Sequence, residues 1–390
     1  MTLPEPIAPE GYNFIGWFDG ETQYTDETPF TAHVTLTAKY EPETLNLQDE
    51  NFTIVAGELI AYTGSSAEVV VPNGVTKVTA GAFKNNKIIT SVTLPATVSS
   101  IQAYAFDTCS KLTTVNIPAG VTRIEEYTFN NCAKLSAISF PATLEYIGSY
   151  AFYNCDALTT LTLNEGLTEM DDYAFQDCDG LTTVTLPTTL KTLETVFRYS
   201  SCLTTVCWAE GLESIGSGAF ESTALNGNIV FPTTLKYVSS RAFYDTDITS
   251  ITFHSKVEQI SDYAFYSNTN LQSVQFIGNR TLHTIGKYAF AQTRLSTITL
   301  PSSLLSIGEK AFTGYAVKFS PYPSIAVFCA ATIPPTISAD TFSSIYTTAS
   351  SAGGYTTRDF TLYVPASALE AYEDAPYWKN ASNISAYTFS

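Results

Sequence analysis

The sequence has few basic residues for its length. It contains 19 Lys and Arg against 37 Asp and Glu, which gives a formal net charge of −18 at pH 7. A protein that binds nucleic acid needs basic side chains facing the phosphates, and adsorption to anionic lipid depends on the same residues. We therefore expect neither nucleic acid nor a membrane surface as a partner. Such a charge favours solubility and suits an extracellular protein.

Histidines and catalytic motifs are scarce as well. The three histidines, His33, His254 and His283, are far apart in the sequence, and their spacing is not that of metal ligands. No nucleophile elbow, glycine-rich phosphate loop or HExxH motif is present. These absences predict a noncatalytic protein without a cofactor, and an enzyme with an unrecognised site is the less favoured alternative.

Long apolar runs are missing from the 390 residues. No stretch of about 18 apolar residues occurs, so no membrane span is predicted. The first ten residues, MTLPEPIAPE, lack the basic region and apolar core of a signal peptide. We expect any leader or anchor of an exported protein to lie outside this sequence. The seven cysteines are an odd number, unlike the disulfide framework of a small secreted domain.

A phenylalanine returns along most of the chain at an almost constant interval. The interval is 23 residues over the first five positions, 22 to 25 up to residue 312, and 30 before the last. The series comprises Phe83, Phe106, Phe129, Phe152, Phe175, Phe197, Phe220, Phe243, Phe265, Phe290, Phe312 and Phe342. Such a period predicts a solenoid, because one unit cannot bury its apolar face alone and must stack on its neighbours.

Each repeat combines two local patterns. In Ile147–Leu158 the apolar residues have helical spacing, which predicts a helical or 3₁₀ turn facing the core. Leu161 and Leu163 then alternate with threonines, which predicts a short strand that stacks on its equivalents as a parallel sheet. Ile138 and Phe140 are among those equivalents. Proline follows most of these strands and ends them, since it has no N–H. A second ladder is expected at pairs such as Arg123-Ile124 and Tyr146-Ile147.

The recurring pattern IxxxAFxxCxxLTxVxLP resembles the BspA-like leucine-rich repeat from about Phe52 to the C-terminus. The resemblance implies a leucine-rich-repeat solenoid (α/β class, β-rich) with right-handed coils of about 23 residues, short parallel strands and helical or 3₁₀ turns. It also implies a bacterial cell-surface or secreted protein that takes part in adhesion or binds a host or microbial protein or glycan.

Residues 1–42 differ from the repeats and hold two strand-like runs, Tyr12 to Phe18 and His33 to Tyr40. Gly11-Tyr12, Gly16-Trp17-Phe18 and the run from Thr35 to Tyr40 resemble the C-terminal part of the Listeria–Bacteroides repeat, a small β-grasp-like module. Its usual opening strand is absent, so we expect a partial module that could pair with another copy through its open edge.

The remaining boundaries follow from where the repeat begins and ends. Residues 43–50 form a linker, residues 51–74 an N-terminal capping coil, and residues 75–312 the regular repeats. Residues 313–390 comprise irregular last coils and a C-terminal cap, with a loop from Thr347 to Thr357. Within the cap, Ser367 is predicted to N-cap a short helix from Ala368 to about Glu373.

Two columns of residues accompany the phenylalanines. The first column contains tyrosines two residues before the Phe. These rings either form an aromatic platform that binds sugar rings or a protein partner, or they simply pack on the next coil. They are Tyr104, Tyr127, Tyr150 and Tyr173, and later Tyr263 and Tyr288. The second contains Cys109, Cys132, Cys155 and Cys178, which favour buried packing over a metal or redox ladder. Cys207 occupies an outward strand position and is expected to be the most accessible thiol.

Acidic residues concentrate between residues 135 and 190, where Lys and Arg are absent. Asp156 and Asp179 are 23 residues apart and should stack, with Asp177 nearby. Calcium could bridge such carboxylates, and a solvated edge without metal is the alternative. The outward strand positions, by contrast, are mostly Thr and Ser. Their strand propensity explains them without a ligand.

The preferred interpretation is a noncatalytic extracellular solenoid that binds a macromolecule. The alternative is a structural spacer that displays other modules. An exposed cluster of aromatic side chains would favour binding over spacing.

Overall fold

The computed structural model describes residues 3–4, 6–8, 12–29, 34–42, 50–314, 324–346, 354–357 and 360–389. Most of the predicted linker, residues 43–49, lies outside this set, as does His33. Of the predicted loop from Thr347 to Thr357, residues 347–353 also lie outside it. The rest is the strand Gly354–Thr357, which pairs antiparallel with Ser343–Tyr346.

A continuous column of aromatic rings forms the centre of the solenoid. Phe129, Phe152 and Phe175 are stacked with centroids 5.2 and 4.8 Å apart, and all three are fully buried. The same stacking links every neighbour from Phe83 to Phe342, and Tyr62 extends the column into the capping coil with its centroid 5.6 Å from Phe83. The predicted leucine-rich-repeat solenoid with one turn per phenylalanine is therefore confirmed.

In most coils a short strand follows the recurring Leu or Ile, as Thr160–Thr162 follows Leu158, and these strands form a parallel sheet, here called ladder A. Inward residues such as Leu161 and Val184 are buried, while the threonines between them face outward. Ladder A is divided into four runs: Glu68–Val70, Ser91–Thr93 and Thr114–Val115; Thr160–Thr162, Thr183–Thr185 and Thr205–Cys207; Asn226–Val230, Asp247–Phe253 and Ser273–Phe276; Thr297–Leu300, Ile325–Cys329, Phe360–Val364 and Asn383–Ala386.

A second set of strands, here called ladder B, precedes the phenylalanines from Phe83 to Phe312 and is parallel except for the hairpin at its N-terminal end. Its strands are mostly two residues long, but they pair without interruption in one run of seven and one run of six. The first run is Phe52–Val55, Glu58–Tyr62, Lys77–Val78, Ser100–Ile101, Arg123–Ile124, Tyr146–Ile147 and Glu169–Met170. The second is Thr192–Leu193, Ser214–Ile215, Tyr237–Val238, Gln259–Ile260, Thr284–Ile285 and Ser306–Ile307.

The remaining side of each coil consists of consecutive β-turns. The amide of Ala105 donates to Gln102 O at 3.2 Å and that of Cys109 to Phe106 O at 3.1 Å. The third residue of each turn, Tyr104 and Thr108, has φ of 62° and 61°, which is the signature of a type II turn. The predicted helical or 3₁₀ turn is not formed in the described coils, because alternate amides donate to the next coil instead of continuing a helix. Phe106 N, for example, donates to Thr128 O at 2.9 Å.

One predicted strand of ladder A is not formed. Around Ile138 and Phe140 the structure has only an isolated bridge between Thr114 and Ala137. Both predicted inward residues are only half-buried, and the Phe140 ring packs edge-on against Phe152 at 5.7 Å. Phe253 and Phe276 hold the same place in two coils whose strands pair normally, so the size of the ring alone does not explain this break in the sheet.

At the N-terminal end, the capping coil is a β-hairpin of Phe52–Val55 and Glu58–Tyr62 that adds to ladder B. The module before it is a three-stranded antiparallel sheet in which Tyr12–Asp19 lies between Thr22–Tyr24 and Thr37–Pro42. The predicted run from His33 to Tyr40 thus forms a strand only from Thr37. The strand Thr22–Tyr24 was not predicted.

The C-terminal cap is a 3₁₀ turn, Ala366–Ala368, followed by the helix Leu369–Asp374 and a second 3₁₀ turn, Trp378–Asn380. Tyr372 and Trp378 are fully buried and close the core. The prediction that Ser367 caps the helix is wrong, because Ser367 lies within the first 3₁₀ turn and no side chain caps either element.

Candidate functional site

The four tyrosines of the predicted platform form one continuous stack on the outer surface of the turns. Tyr104 and Tyr127 have ring centroids 4.8 Å apart at 5°, and Tyr127 and Tyr150 are 4.9 Å apart at 9°. Tyr173 continues the stack 4.9 Å from Tyr150. All four side chains are half-buried, so the stack leaves part of each ring accessible. These four residues are here called the tyrosine stack.

The backbone at the tyrosine stack is unusual. The four residues have φ between 55° and 65°, a left-handed conformation that is rare for bulky side chains. Two other coils have glycine in the same column, Gly81 and Gly218, with φ of 72° and 64°. Because glycine adopts this conformation without strain, the backbone does not require tyrosine there. Arg241 and Lys310 hold the same place in two further coils with φ of 58° and 57°, so the column also accepts long polar side chains.

The two central members of the tyrosine stack, Tyr127 and Tyr150, have hydroxyl groups with a raised pKa. Burial raises the pKa of Tyr127 and Tyr150, and the neighbouring tyrosines of the stack add to that rise. At the N-terminal end of the stack, the Lys84 ammonium lies 4.5 Å from the centre of the Tyr104 ring. A shorter stack of Tyr263 and Tyr288, with centroids 4.9 Å apart, occupies the same column further along the solenoid.

The cysteine column is a packing element. Cys109, Cys132, Cys155 and Cys178 are fully buried, and each thiol donates to the carbonyl oxygen of the phenylalanine one coil earlier, at 3.0 to 3.3 Å. Ser200 takes the next place in the column and makes the same contact to Phe175 O at 2.9 Å. Burial raises the pKa of Cys109 and Cys178 to about 12, so these thiols are poor nucleophiles and metal ligands. Cys207 is exposed as predicted, and so is Cys202.

The acidic residues proposed for calcium accept hydrogen bonds from other residues of the protein. Asp179 accepts hydrogen bonds from Ser201 N at 3.1 Å and Ser201 Oγ at 2.7 Å. Asp177 accepts one from Gln176 Nε2 at 3.0 Å, and Asp156 accepts a long one from Asp179 N at 3.5 Å. Within the part of the chain that the structure describes, no group of three or more His, Cys, Asp or Glu side chains could hold a metal ion. Calcium binding at Asp156, Asp177 and Asp179 stays a prediction.

Many threonines just before the strands of ladder A stabilise the stacking of the coils. The hydroxyl of Thr113 donates to Thr90 O at 2.7 Å, and that of Thr182 donates to Thr159 O at 2.9 Å. A second threonine column precedes ladder B, where Thr189 donates to Leu167 O at 2.6 Å. These contacts give the hydroxyls a structural use that needs no ligand.

A second exposed aromatic surface lies at the C-terminal end of ladder A, and the sequence reasoning missed it. Phe328 and Tyr363 occupy the outward position where the preceding strand has Thr299, and their rings stack with centroids 4.5 Å apart. The side chain of Tyr387 packs edge-on against Phe328 at 4.9 Å. The available signal was the replacement of Thr by aromatic residues at register positions, but irregular coil lengths after Phe312 concealed that register.

None of the helices in the described ranges is both long and apolar enough to cross a membrane. The comparison with curated proteins gave no match.

Several solved bacterial structures are similar to this chain. A leucine-rich repeat protein of T. pallidum is 29% identical, with 45% of this chain and 87% of that chain covered and a TM-score of 0.42. A leucine-rich repeat protein from Bacteroides ovatus is 22% identical, with 87% and 97% covered and a TM-score of 0.48. A leucine-rich cell surface protein from Faecalibacterium prausnitzii is 20% identical, with 87% and 93% covered and a TM-score of 0.44.

The comparison with protein families agrees with the geometry of the coils. A model of the BspA-type leucine-rich repeat region matches six copies, over residues 53–182, 122–227 and 194–318. Together these matches span the N-terminal cap and the regular repeats, which make up more than half of the chain. The stacked phenylalanines, the two ladders and this match lead to one conclusion: the chain belongs to the BspA-type leucine-rich repeat family.

Proposed function

We propose that this protein is a noncatalytic bacterial cell-surface or secreted protein that binds an extracellular protein or glycan through the tyrosine stack. The family membership and the net charge of −18 support an extracellular setting without nucleic-acid partners. Pairing between copies through the N-terminal module is a further proposal, which rests on the edge strands that its three-stranded sheet has within the described residues.

The observation that carries the proposal is the left-handed backbone under four stacked rings. Tyrosine costs conformational free energy at φ near 60°, where two other coils use glycine. Part of that cost is offset by ring stacking, which contributes roughly 0.5–1.5 kcal/mol per pair. The remaining reason for four half-exposed tyrosines in register is a surface that contacts a partner. Tyrosine is among the residues that dominate binding interfaces, because it offers apolar area and a hydroxyl.

A structural spacer is the second candidate, and the hydroxyl and thiol columns favour it. Hydrogen bonds such as Thr113 Oγ1 to Thr90 O and Cys155 Sγ to Phe129 O tie each coil to the one before. A uniformly linked array can hold another module at a distance without binding anything itself. The spacer needs no exposed aromatic surface, and that difference separates the two candidates.

The test compares the full chain with a double variant, Tyr127→Asn with Tyr150→Asn. Asparagine tolerates the left-handed region, and Asn131 and Asn154 already adopt it in this protein with φ of 57° and 55°. The substitution therefore removes two rings with little change in the backbone. The matched control is Tyr263→Asn with Tyr288→Asn, which removes the shorter stack from the same column.

Each protein is applied to a glycan array and to a pull-down from extracellular host and microbial proteins, with the melting temperature recorded in parallel. We expect the first double variant to lose at least tenfold in affinity for the captured partner. We expect the control to bind like the unmodified chain. If both variants bind the partner as tightly as the unmodified chain and melt at the same temperature, the tyrosine stack is not the binding surface and the spacer is favoured.

A further inference from the structure

One coil is longer than its neighbours, and the extra residues form a loop beside ladder A. The step from Phe265 to Phe290 is 25 residues, and no proline follows the strand Ser273–Phe276. The chain instead continues through Ile277 to Arg280, with Gly278 at φ 61°. Ile277 in this loop is 53% exposed.

Asn279 holds this loop in one conformation. Its Nδ2 donates to His254 O and Val257 O, both at 3.0 Å. Its Oδ1 accepts hydrogen bonds from Thr281 N at 3.1 Å and Leu282 N at 2.8 Å. Both polar atoms of the buried Asn279 amide are therefore hydrogen-bonded. A loop fixed in this way loses little conformational entropy when a ligand binds beside it.

The C-terminal tail lies opposite the loop. After the last strand of ladder A, Tyr387 N donates to Val364 O at 2.7 Å, and Thr388 and Phe389 line the same cleft as the loop. The Tyr387 ring packs edge-on against Phe328 and Tyr363, with centroids 4.9 and 6.2 Å away, and against Phe389 at 5.0 Å. Tyr387 remains 45% exposed, so the wall presents an aromatic surface to solvent.

Loop and tail enclose an open cleft of about 820 Å³, within the size range of ligand sites. Aromatic and apolar side chains on its walls alternate with amides and hydroxyls, among them Gln275, Ser302 and Ser367. Among the described residues that line the cleft, Arg280 alone carries a charge. Arg280 is exposed, and no carboxylate side chain of the described residues lines the cleft with it, although the net charge of the protein is −18.

We propose that this cleft binds a saccharide that carries a carboxylate. Aromatic walls suit the apolar faces of sugar rings, and the amides and hydroxyls can exchange hydrogen bonds with sugar hydroxyls. Arg280 supplies a planar donor pair that matches a carboxylate. The proposal extends the proposed binding function to a second surface at the other end of the solenoid, and it does not depend on the tyrosine stack.

The experiment measures binding of three saccharides to the full chain by calorimetry and ligand-observed NMR. Sialyllactose and an oligomer of galacturonic acid carry carboxylates from two different sugar types, and lactose is the neutral counterpart of the first. We expect one or both acidic saccharides to bind at least about tenfold more tightly than lactose. The difference should shrink as salt is raised, because the charge contact is solvent-accessible.

Three variants locate the site. Arg280→Gln should abolish the preference for the acidic saccharide, and Tyr387→Ala should weaken binding of acidic and neutral sugars alike. Arg294→Gln is the matched control, since Arg294 is an exposed arginine of the following coil that does not line the cleft. It should bind like the unmodified chain.

Two results would overturn the proposal: no saccharide binds, or Arg280→Gln binds as tightly as Arg294→Gln. The tyrosine-stack variant separates this outcome from failure of the proposed function. If Tyr127→Asn with Tyr150→Asn loses its partner while Arg280→Gln changes nothing, the tyrosine stack binds and the cleft does not.

Discussion

Phe152 shows what a single ring contributes to the solenoid. It is fully buried and stacks on Phe129 and Phe175 at 5.2 and 4.8 Å, and Phe140 packs against its edge. Ala151, the small residue before it, is also fully buried and leaves space for the adjacent coil. The ring therefore contacts both neighbouring coils and cannot be removed without leaving a cavity between them.

We predict that Phe152→Ala lowers the free energy of unfolding by about 3–5 kcal/mol, because both apolar contact and cavity terms contribute. Thermal and urea unfolding followed by circular dichroism would measure this loss. Phe152→Leu is the control and should lose much less, since it keeps most of the buried volume. A melting curve of Phe152→Ala that matches the unmodified chain would contradict the core assignment. Binding through the tyrosine stack should survive in conditions where the variant is folded.

The residue scale is also where sequence reasoning succeeded most fully. The period alone identified the buried column, the small residues beside it and the buried cysteines, because strict repetition requires that equivalent residues share one environment. It could not separate the two interpretations of Tyr104 to Tyr173. Whether a ring packs or protrudes depends on the left-handed backbone of its turn, and tyrosine is a poor indicator of that conformation.

At the scale of elements, the turn side of the coils is where prediction was wrong. The apolar spacing of Ile147, Ala151 and Cys155 is compatible with a helix, yet the structure has successive turns. A helix would satisfy its amides internally, whereas here the amide of Phe152 donates to Ala174 O of the next coil at 2.8 Å. Hydrogen bonding between coils competes with the helix, and an isolated sequence window does not contain that information.

The buried cysteine column should make the stability of the fold depend on pH. Burial holds the folded pKa of Cys109 and Cys178 at about 12, and burial raises the pKa of Cys132 and Cys155 as well. An unfolded thiol ionises near 9.0. Between these values the unfolded chain binds fewer protons than the folded chain, so stability falls as pH rises above about 9.

We predict that each of the four thiols costs about 1.4 kcal/mol of stability per pH unit above 9 while the folded chain remains protonated. Urea unfolding at pH 7, 9 and 10 would measure the slope. The control replaces all four residues with serine, which Ser200 shows to be compatible with the column. The serine variant should have a shallower decline above pH 9. Identical slopes would show that the thiols are not buried in the folded chain.

At the scale of the whole molecule, several of the repeating features of the solenoid end at one coil. Ladder B is interrupted between Glu169–Met170 and Thr192–Leu193, where the phenylalanine interval shortens from 23 to 22 residues. The tyrosine stack ends at Tyr173 and the cysteine column at Cys178, just before this point. The two proposed binding surfaces therefore lie on opposite sides of this interruption of ladder B. The tyrosine stack precedes it and the C-terminal cleft follows it.

The whole-molecule organisation could be predicted up to its ends. The regular coils follow from the period, but the C-terminal cleft is lined jointly by residues 277–280 and by the tail around Tyr387, more than 100 residues later. No period links them, because the coil lengths after Phe312 are irregular. Local patterns therefore predicted the array of coils but not this cleft.

The central claim is that residues one coil apart in sequence are neighbours in space, and Cys207 allows a direct test. In ladder A, Thr185 lies opposite Cys207, and Thr162 lies one strand further away. Opposite residues on adjacent strands are separated by about 4.8 Å, within disulfide reach, whereas two strands give about 10 Å, beyond it. The measurement is peptide mapping by mass spectrometry after mild oxidation of Thr185→Cys and of Thr162→Cys, each with Cys202→Ser. We predict a disulfide between position 185 and Cys207 and none between position 162 and Cys207. A link from position 162, or none from position 185, would contradict the stacked-coil account.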